Sequence, residues 1–356
     1  MRLRAAAREK IRRLLGALLI SLGTAVFSGA VAVLVDGLIN GKPLRWWYIA
    51  AFTAAGLLLS GSGAWLLATL KTAVGIGVAT TDAAGDADRY QDEADAFARF
   101  GEGVFTALTS LLIPVNEPGD LPLLRSRLLA VLRTLTQVHR QATTIGLLFQ
   151  GRHQTGFHLG KWLNVAGRRI DLYADARDGT SSHFLAVRLT PAIRTAPRAL
   201  DMVLYSVADR AFTAGQHVTI PELREQLAPL AGQCMALAIN LNGPVDEAGL
   251  VEPVQRSALA EDAAAVVIVA LPAPPGQPSA PRRELTPSLQ DYESTIAAIL
   301  AVADQMPASP GLLYFKTPAA IPVALGHFLR AGNWIPMRHC KTTPVTYQRF
   351  TEPARR

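Results

Sequence analysis

Eight polar residues follow strand-like apolar runs in this chain, and their types suit recognition by charge and hydrogen bonding. Arg152, His153, Gln154 and Thr155 come directly after the run Ile145–Gln150, and Lys316 and Thr317 directly after Leu312–Phe315. Asn240 and Asn242 flank the end of a third run, beside the turn signal Asn242-Gly243-Pro244. Open α/β sheets hold ligands at the carboxyl ends of their strands, so a site is expected in the loops after Gln150, Leu241, Leu271 and Phe315. Taken singly, each residue has a plainer use: Arg152 and Lys316 as exposed turn residues, Asn242 for its turn conformation, His153 as the entry to a helix. As a group at equivalent strand ends they point to a binding site, with two cations for anionic oxygens and amides and hydroxyls to donate and accept hydrogen bonds.

Bond-breaking chemistry has no comparable signature. The chain lacks a Gly-rich loop leading to Lys-Ser/Thr, HExxH, GxSxG and any paired-cysteine metal spacing. His153 and His158 are five apart and do not share a helix face, and the other histidines are scattered. Asp175, Asp178 and His183, after the run ending at Tyr173, are the one cluster that a hydrolase could use. No catalytic residue, metal ligand or cofactor is therefore assigned. Cys234 and Cys340 lie in apolar surroundings in separate halves and read as reduced core residues.

The element that must position the polar residues occurs twice. Gly311–Phe328, GLLYFKTPAAIPVALGHF, reads as a buried strand, a tight turn at Lys316, Thr317 and Pro318, and a small-residue helix to about Leu329 with Pro318 in its first turn. Ile145–Trp162, IGLLFQGRHQTGFHLGKW, aligns with it without a gap at an offset of 166 residues (311 − 145). Phe149 falls on Phe315, Leu159-Gly160 on Leu325-Gly326, and Trp162 on Phe328. A second strand follows each copy, at Arg168–Ala174 and Asn333–His339, so the pattern implies a duplicated α/β half-domain.

Around these units two lobes are expected, about 141–250 and 251–356, each with a largely parallel sheet. The first adds strands at Phe184–Leu189, Met202–Ser206 and Met235–Leu241 and a helix at Pro221–Leu230. The second adds a buried strand at Ala263–Leu271, a Pro-rich loop Pro272–Pro287 carrying Arg282 and Arg283, a helix at Ser288–Gln305 and a closing strand at Thr343–Phe350. Tyr173, Tyr314 and Trp334 could stack on a base, although strand positions favour the core. Residues 72–140 read as a helical connector. A small polar stretch from Thr72 leads to a helix over Asp86–Leu112, weakened by Gly101 and Gly103, then a break at Pro114–Pro118 and a second helix over Leu121–Gln137.

Residues 1–71 read as a membrane hairpin. Leu14–Val35 is free of charge and long enough for a ~30 Å hydrocarbon core, and a second apolar run, 46–70, follows a short loop. Six basic residues precede the first run, from Arg2 to Arg13, against Lys42 and Arg45 in the loop, which predicts a cytoplasmic N-terminus and a cytoplasmic remainder. Trp46, Trp47 and Tyr48 would mark the outer interface. Small residues recur every four positions, at Ser21, Ala25 and Gly29 and at Gly56, Ser60, Ala64 and Ala68. Such stripes let helices approach closely, within one hairpin or between chains. The formal charge of +7 is confined to this part: residues 1–71 hold nine Lys/Arg and two Asp/Glu, leaving 26 of each sign in the remainder. That neutral remainder gives no reason to expect binding to DNA or RNA duplexes.

The FKTPAAIPVALGHFL segment with its following short strand resembles the C-terminal part of a SAVED domain, and the N-terminal hairpin resembles that of the two-transmembrane SAVED effectors of CBASS antiphage systems. The resemblance covers about Ile145–Phe350. It implies two fused Rossmann-like, CARF-like lobes that bind a cyclic oligonucleotide, a cyclic di- or trinucleotide, with Arg152 and Lys316 on phosphate and the Asn, Gln and Thr side chains on base edges. It further implies ligand-induced self-association and disruption of the bacterial inner membrane, with no enzymatic step. A membrane-tethered nucleotide hydrolase and a passive scaffold without ligand are the alternatives.

Overall fold

The computed structural model describes residues 2–40, 46–68, 73–81, 95–97, 99–101, 104–140, 142–163, 168–176, 183–191, 193, 195–243, 245, 247–272, 285–306, 310–340, 342 and 344–353. The chain divides into two compact units, Met1–Ala73 with Glu102–Thr106, and Val74–Gly101 with Ala107–Arg356.

In the first unit α1 (Arg2–Asn40) contains Leu15–Asp36, whose 22 residues have a mean hydropathy of 2.3. It is the one helix among the described residues long and apolar enough to cross a membrane. α2 (Trp46–Ala68) carries no charged residue and packs antiparallel against it. Glycine makes this approach close. A Cβ on Gly23 would stand 2.7 Å from the Gly56 carbonyl oxygen, one on Gly56 2.9 Å from that of Gly23, and one on Gly63 2.7 Å from that of Gly16. The seam on α1 is thus Gly16, Gly23 and buried Ala30, seven residues apart, the spacing that keeps one face toward a partner helix. The four-residue stripe expected on this helix lies elsewhere: Ser21, Ala25 and Gly29 are exposed, and a Cβ on Gly29 would meet nothing within 4 Å. On α2, Gly56 and Ser60 do lie at the seam, whereas the side chains of Ala64 and Ala68 lie outside the described residues. Trp46, Trp47 and Tyr48 are exposed.

The second unit is mixed α/β with Rossmann-like parallel strands. Its five-stranded sheet has the order β2-β1-β3-β4-β5, from β1 (Ala73–Thr81), β2 (Ala107–Pro114), β3 (Thr144–Gln150), β4 (Arg169–Asp175) and β5 (His183–Leu189). β1 is parallel to β2 and β3 to β4, whereas β5 closes the edge antiparallel to β4. The eight-stranded sheet has the order β13-β12-β11-β9-β10-β6-β7, with β8 on β6. These are β6 (Asp201–Ala208), β7 (Ala211–Phe212), β8 (Gln216–His217), β9 (Met235–Asn240), β10 (Ala265–Ala270), β11 (Gly311–Lys316), β12 (Trp334–Cys340) and β13 (Thr346–Arg349). β10, β9, β11 and β12 are parallel, and β6 and β13 are antiparallel to their neighbours. Every residue of β9 and β10 is buried, which explains their unbroken apolar sequence: strands covered on both faces do not alternate.

The helices are α3 (Leu121–Val138), α4 (His153–Trp162), α5 (Ile220–Leu227), α6 (Glu252–Ala260), α7 (Leu289–Ala303) and α8 (Ala320–Phe328). α3 turns Leu121, Leu124, Leu128, Leu132 and Leu135 inward, a 3.6-residue period legible in the sequence. α7 starts where expected, with the Ser288 side chain accepting from the Asp291 amide. α8 begins at Ala320, two residues after Pro318, because Thr317 and Pro318 still belong to the turn.

Two expectations are corrected. Residues 72–140 are not a helical connector: 73–81 and 107–114 are β1 and β2, and of the two predicted helices only the second, α3, runs over its expected length. Gly75, Gly77 and Ala79 gave β1 the look of a linker, but they sit inside a sheet where small side chains are covered. Residues 95–97 and 99–101 are helical, but the helix does not reach Leu112. The lobe boundary also moves. β6 and β9, assigned to the first lobe, belong to the second sheet, where β9 lies between β10 and β11.

The corrected elements enlarge the duplication. β1, β2, α3, β3, α4, β4 and β5 correspond in order to β9, β10, α7, β11, α8, β12 and β13, and the two sheets list the equivalent strands in the same sequence. The halves share one core cluster, running from Val74 and Ile113 to Val323 and Phe350. α8 packs on β3, β4 and β5 of the first sheet, and α4 on β12 of the second.

Candidate strand-end binding site

α4 and α8 meet at the two Leu-Gly pairs. A Cβ on Gly160 would stand 1.9 Å from the carbonyl oxygen of Val323, and one on Gly326 1.9 Å from that of Phe157. Since 157 and 323, and 160 and 326, are related by the same offset of 166, the crossing is reciprocal, as a local two-fold axis requires. His158 and His327 brace it. His158 is buried, its Nε2 2.7 Å from the Phe350 carbonyl, and burial lowers its pKa to about 4, so the neutral ring donates to that oxygen. His327 Nδ1 is 2.9 Å from the Leu163 carbonyl, and burial lowers its pKa too. Both histidines are packing residues.

The crossing aims both helix entrances at the carboxyl ends of β3 and β11. β9–β11 pairing sets Asn240 beside Lys316, and the amides of Leu241 and Asn242 donate to the Lys316 carbonyl at 2.9 and 3.2 Å. Asn240 is fully buried, Thr317 is 1% exposed, and Lys316 is half-buried at the rim. On the first-half side Arg152 is the N-cap of α4, half-buried with Nη1 shielded from water. His153, Gln154 and Thr155 form the first turn, and the His153 ring lies 6.4 Å from that of Phe315, which joins this turn to the end of β11. All eight sequence-selected residues thus lie at the carboxyl ends of β3, β9 and β11 or on the turns that follow them. Of the four loops expected, the one after Leu271 lies mostly outside the described residues, and Arg282 and Arg283 with it.

Two residues of this region escaped the sequence. Thr80, at the end of β1, is 3% exposed, and its Oγ1 lies where a Cβ on Gly151 would come within 1.9 Å of it. Gly151 has φ +150°, so both the backbone and the neighbour exclude a side chain. The signal was present, since Thr80 stands at the end of an apolar run as Asn240 stands at the end of β9, but that run does not read as a strand in the sequence.

The residues that could have stacked on bases are elsewhere. Tyr314 is fully buried, donates to Ser257 Oγ at 3.1 Å, and has its pKa raised by burial. The Trp334 ring covers Gly311, and Tyr173 faces Phe97 and Phe100. Of the hydrolase cluster, two members are described. Asp175 and His183 are register partners on β4 and β5, but Asp175 is exposed while His183 is buried against Phe97 and Phe100. Asp178 lies outside the described residues. No group of three or more potential metal ligands occurs among the described residues. A separate open groove lined by Tyr205, Phe212, His217 and Gln255 shares no residue with the strand-end cluster. Among the described residues the strand ends offer cations, amides and hydroxyls, groups of the kinds that hydrogen-bond to anionic oxygens. Neither a protein-family model nor a curated protein matches this chain.

Proposed function

We propose that this protein is a membrane-anchored sensor of a cyclic oligonucleotide, a SAVED-type effector of the two-transmembrane kind. The ligand, a cyclic di- or trinucleotide, is held where the two halves meet, with Arg152 and Lys316 on phosphate and Asn240, Asn242, Gln154, Thr155 and Thr317 on base edges. His153 closes the site beside Phe315. α1 and α2 both cross the inner membrane, with the remainder of the chain on the cytoplasmic side. Ligand-bound chains associate and their helices cluster to breach the bilayer, because a ligand shared between neighbouring chains favours the assembled state. The protein catalyses nothing in this scheme and needs no cofactor.

The observation that carries the reading is the convergence, in a chain with an apolar 22-residue helix, of polar strand ends from two equivalent sheets. A two-fold scaffold suits a ligand that itself repeats. The test is dye release from liposomes bearing the full-length chain, titrated with a panel of cyclic di- and trinucleotides while particle mass is followed by light scattering. One member of the panel should trigger release and assembly, and Lys316→Ala should weaken both about tenfold. Silence across the panel, or release without any dependence on Lys316 and Arg152, refutes the reading. Conversion of a nucleotide by the purified chain would favour the hydrolase.

A further inference from the structure

The two strand-turn-helix units share a backbone plan and differ in what they bury at the helix entrance. In the first unit Thr80 and Thr155 are 3% and 0% exposed, and the hydroxyl of each is shut off from water with no hydrogen-bond partner among the described residues. Buried hydroxyls are nearly always paired, because desolvation without a partner destabilises the fold. Two unpaired ones at the same entrance call for a group from outside. Gly151 keeps the Thr80 hydroxyl in place beside the turn, since any Cβ there would displace it. The amides of Gln154 and Thr155, at the second and third positions of a 10-residue helix, have no carbonyl in the preceding turn and add donors at its positive end.

The second unit lacks all of this. The first turn of α8 is Ala320, Ile321 and Pro322; the Ile321 amide is already bonded to the Pro318 carbonyl at 3.1 Å, and Pro322 has no N–H. The Thr317 hydroxyl is 3.3 Å from the Pro318 carbonyl. Asn240 stands at the strand end equivalent to Thr80.

We infer that the two halves divide the ligand unequally: the α4 entrance, with the Thr80 and Thr155 hydroxyls and the Gln154 and Thr155 amides, is an oxyanion pocket that takes phosphate oxygens, so that the Thr155 hydroxyl serves phosphate rather than a base edge. The α8 entrance offers no such pocket and contributes side chains alone, those of Asn240, Asn242, Lys316 and Thr317. The division rests on the nucleotide-sensing reading for the identity of the ligand, while the pocket itself requires only a phosphate group.

The experiment uses the full-length chain in lipid nanodiscs with Thr80→Val, Thr155→Val and, as a control outside the strand-end cluster, Thr213→Val in the separate groove of the second sheet. Two probes are titrated, inorganic phosphate followed by melting temperature and the panel of cyclic nucleotides followed by equilibrium binding. Valine has the shape of threonine without the unpaired hydroxyl, so Thr80→Val and Thr155→Val should melt at or above the wild type without ligand. Both should lose about tenfold in affinity for either probe, Thr213→Val should bind both probes as the wild type does, and Thr80→Ser should bind as well as the wild type. Undiminished binding of phosphate and nucleotide by both valine variants overturns the pocket and leaves the sensing reading standing. Phosphate binding that the valines weaken, in a chain that binds no cyclic nucleotide, supports the pocket and removes the sensing reading. A wild type that binds neither probe removes both, and valine variants that melt well below the wild type show a structural role and overturn the pocket.

Discussion

Alanine at Gly160 would place a methyl carbon 1.9 Å from the Val323 carbonyl oxygen, and alanine at Gly326 would do the same to Phe157. Carbon and oxygen tolerate approach to about 3.3 Å, so either substitution forces α4 and α8 apart by roughly 1.4 Å. Both neighbours are backbone atoms inside helices, which cannot rotate away as a side chain would. The cost should sit at the upper end of overpacking, about 3 kcal/mol, or roughly 6–10 °C in melting temperature for a domain of this size. The reciprocal geometry then makes a sharper claim. Separation of the helices relieves both clashes together, so Gly160→Ala/Gly326→Ala should cost little more than either single variant, a coupling of about 2–3 kcal/mol where distant sites would add. Urea unfolding of the four proteins, followed by near-ultraviolet circular dichroism in nanodiscs, measures the cycle. Additive losses, or single variants within about 0.5 kcal/mol of the wild type, would refute the close reciprocal crossing.

Two further outcomes are expected. Burial holds His158 near pKa 4 against an ordinary 6.5, so between those values the unfolded chain takes up a proton that the folded chain refuses. Stability is therefore complete above about pH 6.5 and falls as the pH drops toward 4, by about 3 kcal/mol at most, and His158→Gln should flatten that part of the melting-temperature profile. In the helical pair, Gly23→Ile should separate α1 from α2 and abolish cross-linking between cysteines introduced one on each helix, whereas Gly29→Ile, with open space around it, should leave that cross-linking intact. Equal effects of the two would refute the seven-residue seam.

How much of this was legible depended on whether the signal was local. The strand-turn-helix units announced themselves because a fully buried strand and a small-residue helix both leave unbroken apolar runs, and the Leu-Gly pairs marked their closest contact. β1 and β2 stayed hidden for the opposite reason. Ala73–Thr81 is rich in glycine and alanine, and its membership of a sheet is decided by β2, more than 25 residues away, to which its backbone is bonded. With β1 unseen, Thr80 and the use of Gly151 were unseen too. β9 was recognised as a strand, but nothing in MALAIN says which sheet it joins; that follows from pairing with β10 and β11, both later in the chain. The eight polar residues were found because they abut local elements, while the asymmetry between the two entrances depended on which hydroxyls the tertiary fold leaves unpaired.

The exchange of helices between the halves bears on how the chain is made. The apolar inner face of the first sheet is complete once β5 has been synthesised, at Leu189, but α8, one of the helices that cover it, begins only at Ala320. At a synthesis rate of about 5–20 residues per second, that face stays partly bare for roughly 7 to 26 seconds, with α1 already emerged and free to enter a bilayer. Neither half can finish alone, since each sheet packs against a helix from the other, and the first sheet must wait for its helix. A truncated chain ending before α8 should therefore be a client of chaperones and proteases, so that only full-length copies persist.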